Sequence, residues 1–312
     1  MALIIPGIET FMARLKIAQW ITVVASALLL IAPNAGARPE AGYKPEIEAW
    51  RAKVEASLRR DNGWLTLAGR YELKPGVNTI GTGPDNNVAL NPGLSPARLG
   101  TIDIQGDKIT LKLSPGVEMF EARGDPIGFS ERTLKSDLDK RDWVYLGRMS
   151  FHVIKRDDRH ILRVSDTDSD TRKNFAGRIW YEVKPAMKVD AKFVPYKDKK
   201  VDIVNVLGEV SQEPVAGYLE FRLNGKAHRL DALAEPGEPL FVIFADKSGE
   251  DATYPSGRFL EVALPRNGKT VVDFNKAYNP PCAFSAYTTC PLPPPQNVLE
   301  ARVAAGEKFR GH

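Results

Sequence analysis

Asp246, Tyr254, Arg258, Asp273, Asn275, Tyr278 and Asn279 place two carboxylates, a guanidinium, two phenols and two amides in one part of the chain. An arginine accepts a carboxylate or phosphate through two parallel N–H···O bonds. Sets of Asp, Arg and Tyr also serve acid–base chemistry. Alternation along the extended run that ends in Asp273-Phe-Asn275 points Asp273 and Asn275 to one side and Phe274 to the other. Arg163, in Leu162-Arg-Val-Ser-Asp166 at a strand end, adds a second guanidinium. Brought together, these residues make a pocket for a small anionic or carbohydrate-like ligand. The rival use of the same groups is a carboxylate-dependent hydrolase or lyase of the cell envelope. A third reading makes them ties that fix an irregular loop to a sheet, in a structural or interaction protein without a pocket.

That loop follows directly. From Val271 to Pro295 the chain holds six prolines and both of its cysteines, Cys282 and Cys290. Proline fixes φ and removes a backbone donor, so the run is neither helix interior nor central strand. A stretch so poor in N–H groups needs side-chain hydrogen bonds to stay ordered. A Cys282–Cys290 disulfide is the expected pin, contributing about 2–3 kcal/mol by the chain-entropy estimate. The pair makes a poor zinc site, because structural zinc takes four ligands and no histidine stands near.

Other chemistry is thinly represented. His152, His160, His228 and His312 form no H-x-x-x-H or similar ligand pair, and there is no G-x-S-x-G elbow, P-loop or Rossmann glycine pattern. Asp166-Thr-Asp168-Ser-Asp170 starts like a calcium loop, but Thr171 and Gly177 stand where the loop needs its glycine and its bidentate glutamate. Asp246-Lys-Ser-Gly-Glu-Asp251 is a second acidic turn. No cofactor is expected, and a divalent cation at such a turn is the weak remaining candidate. With 43 basic and 39 acidic residues, a formal charge of +4 and no block of like charge, the chain carries no nucleic-acid stripe. A small molecule is the expected partner.

Residues 1–37 differ from the rest. Arg14 and Lys16 precede an apolar run from Ile17 to Ile31, and Ala35-Gly-Ala37 supplies a small-residue exit. This is the pattern of a secretory signal peptide, with Met12 an alternative start. The apolar core is too short for a comfortable span, so no stable membrane anchor is expected after cleavage. The mature chain is then periplasmic or extracellular, the setting in which two cysteines pair.

The elements that position these residues are mostly strands. Short β-rich runs from Thr66 onward, separated by Gly, Pro and Asn punctuation, predict antiparallel sandwich or barrel-like sheets. Asn224-Gly225 predicts a hairpin with a type I′ turn. Ile47, Trp50, Val54 and Leu58 recur at helical spacing behind Pro45, so a short N-terminal helix is expected to clasp the first sheet through Trp50. Residues 130–141 read as a connection, and 297–305 as the one further stretch that could be helical. The halves divide at residues 38–140 and 141–312, within one compact unit.

Several runs together resemble a known family. Gly63-Trp-Leu-Thr-Leu-Ala-Gly-Arg70, Arg163-Val-Ser-Asp166, Phe175-Ala-Gly177, Gly257-Arg-Phe-Leu260, Asp273-Phe-Asn-Lys-Ala-Tyr-Asn-Pro-Pro-Cys282 and Gly306-Glu-Lys308 look like the bacterial domain-of-unknown-function 1684 family. The resemblance runs over roughly residues 46–308. It implies a single unit that includes both halves, and no activity comes with it.

Overall fold

The structure is a computed structural model that describes residues 40–136, 141–234 and 238–311. The expected signal peptide lies outside the described residues. Helix α1 (Glu40–Leu58) leads into two β bodies. The first is built from β1 (Leu67–Leu73), β2 (Gly76–Gly81), β3 (Val88–Ala89), β4 (Gly100–Gln105), β5 (Lys108–Leu113) and β6 (Glu131–Leu134). It is completed by β7 (Val144–Leu146), β8 (Met149–Arg156) and β9 (Arg159–Asp166). One sheet runs β3-β2-β4-β5-β6 and the other β1-β9-β8-β7. Alternation explains their packing. Ile102, Ile104, Ile109 and Leu111 of the first sheet share a core with Phe151, Val153, Leu162 and Val164 of the second. A sandwich results.

After a capped turn (α2, Asp170–Lys173) comes the second body. Its strands are β10 (Lys188–Val204), β11 (Val210–Leu223), β12 (Lys226–Leu233), β13 (Leu240–Asp246), β14 (Arg258–Val262), β15 (Lys269–Asp273) and β16 (Val298–Leu299). The sheet runs β14-β13-β12-β11-β10-β15 and curls into a half-barrel, with β16 added parallel to β13. Asn224 and Gly225 both adopt positive φ, 51° and 77°, at the expected hairpin between β11 and β12. One face of this sheet buries Leu219, Phe221, Leu230 and Val242 beneath Phe274, Leu299, Val303 and Ala305. The other face packs Ile203, Ile243 and Phe259 against Trp50, Trp180, Tyr278 and both cysteines. The protein is mostly β and predominantly antiparallel. Among the described residues no helix is long and apolar enough to cross a membrane.

Four details differ from the sequence reading. Helix α1 clasps the second body, not the first sheet, because Trp50 meets Trp180 and Tyr278 with ring centroids 5.8 and 6.3 Å apart. Its polar residues reach the same way, Tyr43 Oη donating to Asp273 at 2.7 Å and Arg51 to the Tyr181 carbonyl at 3.0 Å. Residues 131–134 are a strand, since Leu134 is buried and the run pairs with β5. Residues 297–305 form no α-helix: Asn297 ends a 3-10 turn, Val298–Leu299 pair with β13, and the irregular run beyond lays Val303 and Ala305 on the second sheet. The first sandwich also crosses the expected division at 140/141, with β7 to β9 completing the sheet that β1 begins.

Candidate functional site

The seven residues grouped around Asp246 and Asp273 do not converge on an open pocket. They form three internal ties. Arg258 is 1 % exposed at the start of β14, and its guanidinium donates to Asp246 Oδ1 at 2.7 Å and to the Val303 carbonyl at 3.1 Å. It also donates to the Ala305 carbonyl. Asp246 Oδ2 accepts the backbone N–H groups of Ser248 and Val303 at 3.0 and 2.7 Å. The buried pair thus satisfies its own polar atoms while fastening residues 303–305, which is what a desolvated ion pair requires.

The second tie joins Asp273 to Tyr43 and to the N–H of Asn275. Asn275 in turn accepts from the Lys184 N–H and donates to the Lys184 carbonyl, at 2.9 and 2.8 Å. In the third, Glu307 pairs with Arg178 and accepts the Asn279 N–H, while the Asn279 amide donates to the Lys308 carbonyl. Tyr278 Oη donates to Glu261 at 3.2 Å, and burial holds this phenol far above its ordinary range. Tyr254 stands apart, its ring edge-on to Phe309 at 4.9 Å. Both aspartates are buried. A two-carboxylate hydrolase needs its pair across an open cleft, and this arrangement encloses them.

Arg163 lies elsewhere, on the face of the four-stranded sheet turned away from the sandwich core. The register sets Ser150 opposite Ser165 and His152 opposite Arg163, with Arg70 beside Arg163 on β1. All four side chains of the β8–β9 pair are buried: Ser150 at 0 %, Ser165 at 1 %, His152 at 3 % and Arg163 at 5 % exposure. Aromatic rings frame them. Trp143 lies 4.1 Å from the His152 ring, and the Arg163 guanidinium is 5.7 Å from the centre of Trp64. The Pro/Cys loop approaches the same face, where Arg163 reaches Thr289 Oγ1 at 3.4 Å.

This face is rich in donors. Arg141 Nη1 lies 3.3 Å from His152 Nε2. A guanidinium can only donate, so Nε2 accepts and the ring proton sits on Nδ1. His152 Nδ1, Ser150 Oγ, Ser165 Oγ and Arg70 Nε are buried with no hydrogen-bond partner in the protein. Burial holds His152 well below the usual histidine range, and Arg141, Arg163 and Arg156 push it the same way. Every charge acting on the ring is positive. Of this group only Arg163 is among the candidate ligand residues of the sequence reading, which weighs His152 solely as a metal ligand. The others carry a legible mark, polar residues at alternate positions of two otherwise apolar strands, Ser150-x-His152 and Arg163-x-Ser165.

Cys282 and Cys290 stand side by side as thiols. The acidic turns are occupied by cations of the protein itself. Asp168 pairs with Arg148 and Lys173, and Asp251 with Arg302. Among the described residues, no three His, Cys, Asp or Glu side chains are grouped so as to hold a metal ion.

A β sandwich joined to a curled sheet, with a donor-lined face under a proline-rich loop, defines a two-body, mostly β protein. Residues 173–308 match the model of the family described as "Protein of unknown function (DUF1684)". That match covers the second body and, apart from Tyr43, the residues of the three ties, whereas the resembling runs also reach into the first sandwich. Among solved structures the chain is similar to the solution NMR structure of an uncharacterized protein of Haloarcula marismortui. The identity is 31 %, over 44 % of this chain and 78 % of that one, with a TM-score of 0.38. No curated protein matches the chain.

Proposed function

We propose that this is an exported β-protein that binds a small anionic ligand on the polar face of the β1-β9-β8-β7 sheet, at Ser150, His152, Arg163 and Ser165. The observation that carries the reading is the set of buried donors without protein acceptors, Ser150 Oγ, Ser165 Oγ and His152 Nδ1. An unpartnered buried polar group costs about 1–3 kcal/mol, and an acceptor-only ligand would satisfy several at once. Phosphate, sulfate and carboxylate groups are such acceptors, and arginines nearby favour their charge. Export rests on the basic, apolar and small-residue pattern of residues 1–37. The carboxylate-dependent hydrolase or lyase reading is weaker, because Asp246 and Asp273 are both buried and engaged.

The test is calorimetric titration of the wild type with inorganic phosphate, sulfate, acetate, a sugar phosphate and a neutral sugar, repeated with Ser150→Ala and Ser165→Ala. These substitutions remove a donor and little volume, so the fold should hold. Oxyanions should bind the wild type and lose about five- to tenfold in affinity with each variant, the worth of roughly 1–1.4 kcal/mol per hydrogen bond. Binding of the neutral sugar alone, or of nothing, would remove the proposal.

A further inference from the structure

The two cysteines are arranged for more than a permanent crosslink. Cys282 N–H donates to Cys290 Sγ at 3.1 Å, and Cys290 N–H donates to Cys282 Sγ at 3.2 Å. Each sulfur is therefore held against the other residue's backbone. The Thr288 hydroxyl donates a further bond to Cys282 Sγ at 3.0 Å. Pro280, Pro281 and Pro291 bracket the pair and restrict the loop ends. The two thiols differ in access, since Cys282 is half-buried and Cys290 only 4 % exposed. They differ in electrostatics as well. Hydrogen bonds from Cys290 and Thr288, with Arg163 at longer range, bring Cys282 down to about 7, while burial and its neighbour push Cys290 far up.

We propose that Cys282 and Cys290 are a reactive dithiol that exchanges with a disulfide-bearing carrier, Cys282 as the attacking sulfur and Cys290 as the resolving one. The Cys282 thiolate attacks one sulfur of the carrier. The carrier's S–S bond breaks, one carrier thiolate leaves and takes up a proton, and a mixed disulfide forms at Cys282. Cys290 then gives its proton to solvent and attacks Cys282 Sγ. The mixed disulfide breaks, the second carrier thiolate leaves and takes up a proton, and the Cys282–Cys290 bond is complete. The carrier gains the two electrons that the cysteine pair loses. Attack by a reduced dithiol on Cys282 runs the same steps backwards. Hydrogen bonds to a sulfur favour its thiolate, and the thiolate is the nucleophile. None of this depends on an anion at the Arg163 face.

The test uses the full chain, reduced and then equilibrated in glutathione buffers of graded oxidised-to-reduced ratio, quenched in acid, alkylated and read by intact mass. One intramolecular disulfide should appear and disappear reversibly in the native protein. Cys290→Ser should accumulate glutathione at Cys282, and Cys282→Ser at least tenfold less at Cys290. Iodoacetamide should modify Cys282 of the reduced wild type first, with a midpoint near pH 7, while Cys290 stays unmodified. Thr288→Val, which keeps both cysteines, should move that midpoint upward. A disulfide that native protein yields to no reductant, no disulfide at any ratio, or equal glutathione capture by both single variants would each overturn the proposal.

Discussion

Arg258 and His152 are both buried, and they do opposite work. Arg258 has an ionised partner and acceptors for its remaining donors. Arg258→Leu leaves Asp246 charged and enclosed, a loss of about 3–5 kcal/mol where one partner of a buried pair is removed. Urea unfolding of that variant should show a midpoint far below wild type. Arg258→Leu combined with Asp246→Asn should recover part of the loss. His152 has no opposing charge among the groups that act on it, so it is held neutral. Its pKa is lower folded than unfolded, and the unfolded chain therefore binds the extra proton first. Stability is fully present above the unfolded value of about 6.5 and falls by about 1.4 kcal/mol per pH unit as pH drops below it, until the folded ring itself titrates. His152→Gln should flatten that slope in a series of denaturation curves between pH 7 and 5. An equal slope in the variant would place the pH dependence elsewhere.

The elements were legible where their cause is local. Period-two alternation marks β5, and Asn224-Gly225 marks the turn after β11, because both depend on neighbours in sequence. Helix α1 was legible as a helix but not by its partner. The stripe Ile47, Trp50, Val54, Leu58 says that one face is covered and not which surface covers it. What decides is Tyr43 reaching Asp273 and Arg51 reaching Tyr181, contacts between residues more than a hundred positions apart. The irregular run after β16 was obscured for a similar reason, being held in place by Asp246 and Arg258. Gly306 marks its tight point. It has φ 79°, and a Cβ there would lie 2.5 Å from the Ala277 carbonyl oxygen and 2.8 Å from that of Phe274. Gly306→Ala should destabilise by at least about 2 kcal/mol, combining left-handed strain with a backbone clash. Thermal unfolding of the variant checks this. An unchanged melting temperature would show that the last segment can shift aside.

On the scale of the whole molecule, the candidate site was legible only in part, because sequence proximity and spatial proximity diverge. Asp246, Arg258 and Asp273 are near one another in sequence, yet the Asp246–Arg258 pair and Asp273 serve separate ties. Ser150, His152, Arg163 and Ser165 come together through antiparallel register, and only a strand pairing reveals that Ser150 faces Ser165. The Pro/Cys loop links the two bodies. It packs its cysteines on the outer face of the curled sheet and presents Thr289 to Arg163 of the sandwich.

The anchoring of residues 303–307 has a consequence for the order of synthesis. Asp246, Arg258, Arg178 and Asn279 are all made before the segment that completes their hydrogen bonds, namely the Val303 N–H and carbonyl, the Ala305 carbonyl and the Glu307 carboxylate. A nascent chain ending near residue 300 therefore holds a curled sheet with uncovered apolar surface and a buried-charge cluster that cannot close. The second body should remain open until its last turn of sequence has left the ribosome. A chain stalled there would be a good client for chaperones.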